Sequence, residues 1–521
     1  MKSTIIGTLL CILVIGATFW LIQKAPIEPT KVPVKQEQET YVPPEQDLIT
    51  DNAQVSRAYV IKTAHDAEDL ITELAYGSNP EYKKSIQDIS TRLSKSAEYL
   101  KDELKEYDAA SYFSMLSDKF QGLVDDPFDS GEDFSQKAKT FLTEIENTYS
   151  AAIKTSPDEN DPENPMYYPK FDTEVNGKTT LALLAIYRMQ YQESNGCILL
   201  TFGGNMVPGD TLLETDSKDS FKSNSESSER PYPLYPLSSI LSTDTSSFAN
   251  LAVPLTDSIG NAVSAGSLKG SPSYAKLLKD GGIDVVSIAN SNVLSFGKTG
   301  KEDTINALKA ANLPYSDEGT IHFQDTKLGK VAYISYDIVE EMQVKGKAFE
   351  DAPKQDIETA KKAGATFVIV HFNWITTDNT SWEPSQSQAK TTRAAIDNGA
   401  NLVFGSHPSV IESIEKYKGV SVVYCAGDLF RRNGGEGSSF IFQQAFSLDN
   451  DKKVVPGEIL LIPIVGAGNE KGLPSLAFDK DTTDTFSKQI KNISKGMRYG
   501  VDRDDNPGFT LKHLNIITIE K

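Results

Sequence analysis

For a chain of 521 residues the sequence holds little cysteine, histidine or tryptophan: three Cys, five His and three Trp. The thiols Cys11, Cys197 and Cys425 are too few and too far apart for a disulfide framework or a zinc knuckle. A Cys197 to Cys425 bridge stays open beside the plainer reading of two buried free thiols that pack as small apolar groups. Positive charge is short as well, since 52 basic against 72 acidic residues give a formal net charge of −20. Such a surface repels phosphate backbones, so nucleic acid is excluded as a partner. Hydrophobic content of 39% with 24% charged residues is what a soluble globular protein shows, and the length calls for two or three domains.

One apolar run stands out. Residues 5–22 carry no charge, and as a helix they cover roughly 27 Å at about 1.5 Å per residue, enough to cross a bilayer. A cleaved signal peptide competes through the small-residue site Ile15-Gly16-Ala17, yet the run continues through Phe19, Trp20, Leu21 and Ile22, which favours an uncleaved anchor. A lipid-modified Cys11 lacks the small residue expected just before it. Lys2 and Lys24 flank the run and settle its orientation poorly. The size of the acidic remainder places the bulk outside the cytoplasm, on a single-pass cell-membrane anchor.

The rest divides by texture. Residues 1–23 form the anchor, and 24–54 are a Pro/Glu-rich extended spacer. Over 55–156 apolar residues recur at three- and four-residue steps, as in Ile86, Ile89, Leu93, Ala97, Leu100 and Leu104, which predicts a bundle of three or four helices. A connecting segment spans 157–195. Within it Gly177-Lys178-Thr179-Thr180 imitates the end of a phosphate-binding loop, but Asp172 occupies the place of the first glycine, and no strand precedes it. From 196 to 521, apolar and β-branched runs at 198–202, 285–288, 331–334, 367–370, 402–404 and 422–424 alternate with helical stretches, an α/β sheet pattern buried on both faces. A Ser-rich stretch near 223–247 reads as a long surface loop.

In such sheets the chemistry sits in loops just past strand ends. Gly203-Gly204-Asn205, Asn250-Leu251-Ala252, Ala289-Asn290-Ser291-Asn292, His371-Phe372-Asn373-Trp374, Gly405-Ser406-His407-Pro408-Ser409 and Tyr424-Cys425-Ala426-Gly427-Asp428-Leu429-Phe430 fall there. Singly, an Asn or Gly in such a place is usually a turn residue, and a lone His a structural one. In this order and spacing, over about 197–465, the series resembles the CapA-type capsule (poly-γ-glutamate) synthesis family. Gly300, Thr304 and Leu308, and Asp397-Asn398-Gly399-Ala400, fit that pattern too. The resemblance implies a layered α/β sandwich similar to the metallophosphatases, preceded here by the helical bundle and the transmembrane helix.

The departures bear on function. Where the family pattern has carboxylates and a histidine, this sequence has Asn205, Ala252, Asn292 and Ser295; Asn373 and Ile375 replace a Gly and a Glu, and Asp428 replaces an Asn. Two divalent cations held close together need bridging carboxylate oxygen, which a neutral amide does not supply. The remaining set of Asn205, Asn250, Asn290, Asn292, His371, His407 and Asp428 leaves room for one divalent metal at most, on His371 and His407, and the first expectation is no cofactor. The cleft is then a binding site. Arg431 and Arg432, with Lys298 and Lys301, are candidate contacts for an anionic surface polymer or cell-wall component. The sequence therefore reads as a tethered surface protein, a non-catalytic relative of that family, that makes, exports or anchors such a polymer, with a polymer synthase as a further partner. The rivals are a mononuclear metal-dependent hydrolase, with Asp210 or Asp428 supplying the carboxylate, and an architectural module that docks a surface partner.

Overall fold

The computed structural model describes residues 54–516 with internal breaks, the longest at 155–169, 172–181, 339–350, 375–383 and 502–513. The apolar run 5–22, Cys11, nearly all of the spacer and the tetrapeptide at 177–180 lie outside the described residues. Among the described residues no helix is long and apolar enough to cross a membrane. The chain forms two compact units: one covers the described residues up to Tyr191 except Leu104–Glu106, and the other takes that tripeptide and everything from Gln192 onward.

The first unit holds, among its described residues, the long helices α1 (Arg57–Tyr76), α2 (Tyr82–Asp102), α3 (Tyr107–Asp125) and α4 (Gly131–Ala152). The stripe read in the sequence is the buried face of α2, with Ile86, Ile89, Leu93, Ala97 and Leu100 all enclosed. Leu104 falls beyond the helix end, just before Lys105 at φ 56. Polar residues on the same face find partners across the helices: Arg92 Nη2 meets Asp66 at 2.6 Å, and the Ser90 and Ser117 hydroxyls lie 3.0 Å apart.

The second unit is a sandwich of two sheets. Its strands are β1 (Ile198–Val207), β2 (Ser246–Leu251), β3 (Val285–Ser287), β4 (Tyr315–Ser316), β5 (His322–Thr326), β6 (Gly329–Ile338), β7 (Ala365–Trp374), β8 (Leu402–Ser406), β9 (Ile414–Tyr417), β10 (Val420–Val423), β11 (Asp428–Arg431), β12 (Ser439–Leu448), β13 (Val454–Val465), β14 (Ser475–Leu476) and β15 (Leu514–Ile516). The first sheet runs β14-β13-β12-β1-β2-β3-β4, with β11 also on β1 and β15 on β13; the second runs β9-β10-β8-β7-β6-β5. Pairs β1–β2, β2–β3, β6–β7, β7–β8 and β8–β10 are parallel, as strand-helix alternation predicts.

Side chains alternate in and out along the second sheet. Val331, Tyr333, Phe367, Ile369, Leu402 and Phe404 meet Ile198, Leu200, Phe202 and Phe248 of the first sheet in one core. Their neighbours Ala332, Ile334, Val368, Val370, Val403 and Val422 form a second core with Ile357 of α5 (Asp351–Lys362) and Ala395 and Ile396 of α6 (Gln386–Asn398). Two cores explain why these strands read as unbroken apolar runs.

The expected surface loop at 223–247 is a correction. Phe221–Ser227 is a helix capped by Ser220, whose Oγ accepts from Ser223 N at 3.0 Å; Ser238–Leu241 is a buried helical turn; β2 begins at Ser246. Here serine caps helices and fills buried hydrogen bonds, as Ser247 Oγ does to Asp244 at 2.7 Å, so its abundance is no sign of a loop. Cys197 and Cys425 are buried thiols that are not joined in a disulfide.

Candidate functional site

The inner face of the sandwich changes character along each strand. In β7 the inward column reads Phe367, Ile369, His371, Asn373; in β8 it reads Leu402, Phe404, Ser406; in β6, Val331, Tyr333, Ser335, Asp337; in β2, Ser246, Phe248, Asn250. Period-two geometry carries an apolar core directly into a polar layer at the C-terminal ends of the strands. The expectation that these groups sit in loops past the strands is thereby corrected for most of them. Asn205, Asn250, His371, Asn373 and Ser406 belong to the strands, because each pairs with residues of neighbouring strands. Asn290, Asn292 and His407 do lie just beyond strand ends.

The asparagines bond head to tail. Asn290 Nδ2 donates to Asn250 Oδ1 at 3.1 Å and to Leu251 O at 2.9 Å. Asn250 Nδ2 donates to Asn205 Oδ1 at 3.0 Å and, across to the second sheet, to Asn373 Oδ1 at 3.2 Å. Asn205 Nδ2 ends on Asp428 Oδ1 at 2.9 Å, and Asn373 Nδ2 on Asp337 Oδ1 at 2.9 Å. Backbone donors fix the direction: Val293 N donates to Asn290 Oδ1 at 3.2 Å and His407 N to Asn205 Oδ1 at 3.2 Å. A buried amide left unpaired costs about 1–3 kcal/mol, so the network holds as a unit. Burial raises the pKa of both terminal carboxyls; the Asn205 amide opposes the shift at Asp428, and the Asn373 amide at Asp337.

Two backbone devices bring Asp428 to Asn205. Gly204 lies so close to Gly427 that a Cβ on it would stand 1.8 Å from the Gly427 carbonyl oxygen, and Asn205 N donates to that oxygen at 3.1 Å. Then β11 pairs with β1 through an irregular register, Asp428 with Asn205, Phe430 with Met206 and Arg431 with Val207. Two steps on β11 against one on β1 are a bulge, and it turns Asp428 and Arg431 to the same side although they stand three positions apart. His407, at φ 106, is pinned by Asn205, which accepts from its N–H and donates to its carbonyl at 3.4 Å.

These groups border a cleft of about 600 Å³. Of the expected residues, Asn205, Asn292, His407, Asp428 and Arg431 line it, together with Ser291, Ser295 and Ser409. Asn250, Asn290 and His371 stand behind, in the supporting layer. Lys298 is exposed in the first turn of α7 (Gly297–Ala310), and Lys301 pairs with Asp317 at 2.7 Å; neither borders the cleft. Arg432 is spent elsewhere, on Asp210 at 2.8 Å and Glu214 at 3.1 Å. Sequence reasoning missed Asp337, and it missed the wall supplied by Ser264, Ser267 and Leu268. Asp337 had a signal, as the last inward residue of its strand column; the wall had none, since it lies in a segment without periodicity.

His371 Nε2 is 2.9 Å from Ser406 Oγ, its ring packs on Phe248 at 5.2 Å, and burial pushes its pKa down to about 3, so it stays neutral. His407 is held neutral by burial and by Arg431. Each has an Nδ1 without a hydrogen-bond partner among the described residues. Among those residues no group of three His, Cys, Asp or Glu converges. The donor set of neutral amides already bonded to one another does not fit a pair of divalent cations. Asp210 is not a spare carboxylate: beyond Arg432, it accepts from Phe221 N at 2.9 Å and Lys222 N at 3.3 Å.

Residues 205–432 match the family model described as "Bacterial capsule synthesis protein PGA_cap", so the resemblance read from the motifs is borne out over that segment. The chain is 26% identical over 274 residues to the capsule biosynthesis protein CapA of Bacillus anthracis, covering 46% of this chain and 61% of that one. It is 28% identical over 204 residues to the PGA biosynthesis protein CapA of Bacillus subtilis (strain 168), covering 34% of this chain and 48% of that one. The matches thus span about half to three fifths of those relatives. Among solved structures, a 5'-nucleotidase precursor from Thermus thermophilus aligns at TM-score 0.30 with 8% identity, over 57% of this chain and 58% of that one. GAP50, the anchor in the inner membrane complex of Plasmodium, aligns at TM-score 0.22 with 12% identity, over 42% and 83%.

Proposed function

We propose that this chain serves the synthesis, export or anchoring of a capsule polymer of the poly-γ-glutamate kind, and that it does so by binding in the cleft rather than by metal catalysis. Its likeness to the capsule-synthesis proteins over 205–432 supports the first half. The observation that carries the second is the amide chain Asn290–Asn250–Asn205, whose oxygens are engaged by N–H donors where a dinuclear centre would need free carboxylate. Arg431 offers the cleft a guanidinium suited to carboxylates. The reading places the protein on the outer face of the cell membrane, tethered through residues 5–22, with a polymer synthase as its working partner.

A single-cation hydrolase is the second reading, favoured by the Nδ1 atoms of His371 and His407, which have no hydrogen-bond partner among the described residues. Elemental analysis of the purified full-length chain, with a phosphoesterase assay, decides between them. Binding without metal predicts no stoichiometric transition metal and no turnover. Bound manganese, iron or zinc, with turnover abolished in His407→Ala, overturns it.

A further inference from the structure

Two formal charges line the cleft among the described residues, and they are opposite: Asp428 and Arg431. Two other buried ion pairs of this unit are direct, Arg432 with Asp210 and Arg393 with Glu415, each at 2.8 Å. Asp428 and Arg431 form no such ion pair with each other or with any other described residue. Arg431 Nη1 donates to the neutral Ser409 hydroxyl at 3.2 Å, and Ser409 and the Arg431 charge both oppose the rise that burial causes in the Asp428 pKa. Asp428 is 5% exposed, with Oδ1 held by Asn205. The β11 bulge keeps both charged groups on the cleft side of the strand.

For a polyanion threading through, this is a poor arrangement, because the carboxylate offsets the one cation present. It suits a group that carries both charges within a few ångströms of each other. We infer that the cleft reads the zwitterionic end of an amino-acid chain, taking the terminal α-ammonium on Asp428 and the neighbouring α-carboxylate on Arg431, with Asn205, Asn292 and Ser409 as neutral hydrogen-bonding walls. This deepens the proposed function and rests on it: of all units of such a polymer, the amino-terminal one alone carries an ammonium. Burial raises the Asp428 pKa, opposed by the Asn205 amide, the Arg431 charge and Ser409; an ammonium seated on Asp428 would join the groups that favour its ionised form.

Calorimetric titration of the full-length chain at about pH 7, where an α-amine is charged, tests this with three probes. They are a γ-linked glutamate hexamer with a free amino end, its N-acetylated form, and free glutamate. The free-ended hexamer is expected to bind about tenfold or more tighter than the acetylated one. Asp428→Asn, which keeps an oxygen for Asn205, should bring the two to the same affinity, and Arg431→Gln should weaken both. Equal wild-type affinity for the two hexamers overturns the inference while leaving the anionic-chain reading intact. Free glutamate binding while neither hexamer does keeps the zwitterion site and sinks the polymer. Absence of all binding by a chain with a normal melting transition overturns both.

Discussion

Glu412, between β8 and β9, is 1% exposed, and its Oε2 has no hydrogen-bond partner among the described residues. Burial pushes its pKa up to about 8, from 4.5 in an exposed chain. Between those values the folded protein holds a proton that the unfolded chain has lost, so stability falls as pH rises through that window. Glu412→Gln removes this dependence and should stabilise the protein at alkaline pH by an amount on the order of a few kcal/mol. Thermal melts of variant and wild type at about pH 4 and pH 9 check it: the curves should agree in acid and separate in base, and parallel shifts would refute the assignment. The cleft residues lie at the other extreme, since nearly every polar atom of the asparagine chain is answered. Asn250 is the hub, because it touches Asn205, Asn290 and Asn373 at once and ties one sheet to the other.

At the scale of the strand, Gly203 and Gly204 mark where β1 exchanges one neighbour for another. Through Phe202 it pairs with β12; from Asn205 it pairs with β11 on the same edge. A methyl group at 204 meets backbone, which cannot swing away as a side chain can. Gly204→Ala should therefore cost about 3 kcal/mol or more and loosen Asn205 from Asp428. Gly122→Ala in α3, where nothing lies within 4 Å, should instead stabilise by roughly 0.5–1 kcal/mol. Chemical denaturation of both variants reads the contrast, and a neutral result at 204 would mean that the close approach does not govern the site. This strand also shows how far the sequence could be read. Apolar runs gave the cores of β1, β6, β7, β8 and β10, and motif order pointed to Asn205, His407 and Asp428. The bulge and the change of neighbour were not legible, since both depend on a strand more than two hundred residues away. For the same reason, spacing alone did not separate Asn205 on the cleft wall from Asn250 behind it, or show that Arg432 was already taken by Asp210.

For the molecule as a whole, the formal charge of −20 opposes the approach of any polyanion, whereas the attraction at Arg431 is local. Salt screens beyond a Debye length of about 10 Å at 0.1 M, so it should remove the long-range repulsion before it weakens contact in the cleft. The association rate for an anionic chain is thus expected to rise between about 0.01 and 0.1 M salt, opposite in sign to a basic polymer-binding protein. Stopped-flow measurements over that range check it, and a rate that falls with salt would show that the remote charge is irrelevant.

The bond between Asn205 and Asp428 joins residues 223 positions apart. Sites closed by such distant partners form late, because the intervening chain must be ordered before the contact is made. A chain emerging from its amino end, from a ribosome or a translocon, therefore carries Asn205, Asn250 and His371 for some time with no pocket between them. The cleft is completed only when the segment around 428 docks, so a truncated or stalled product lacks the wall formed by Asp428 and Arg431.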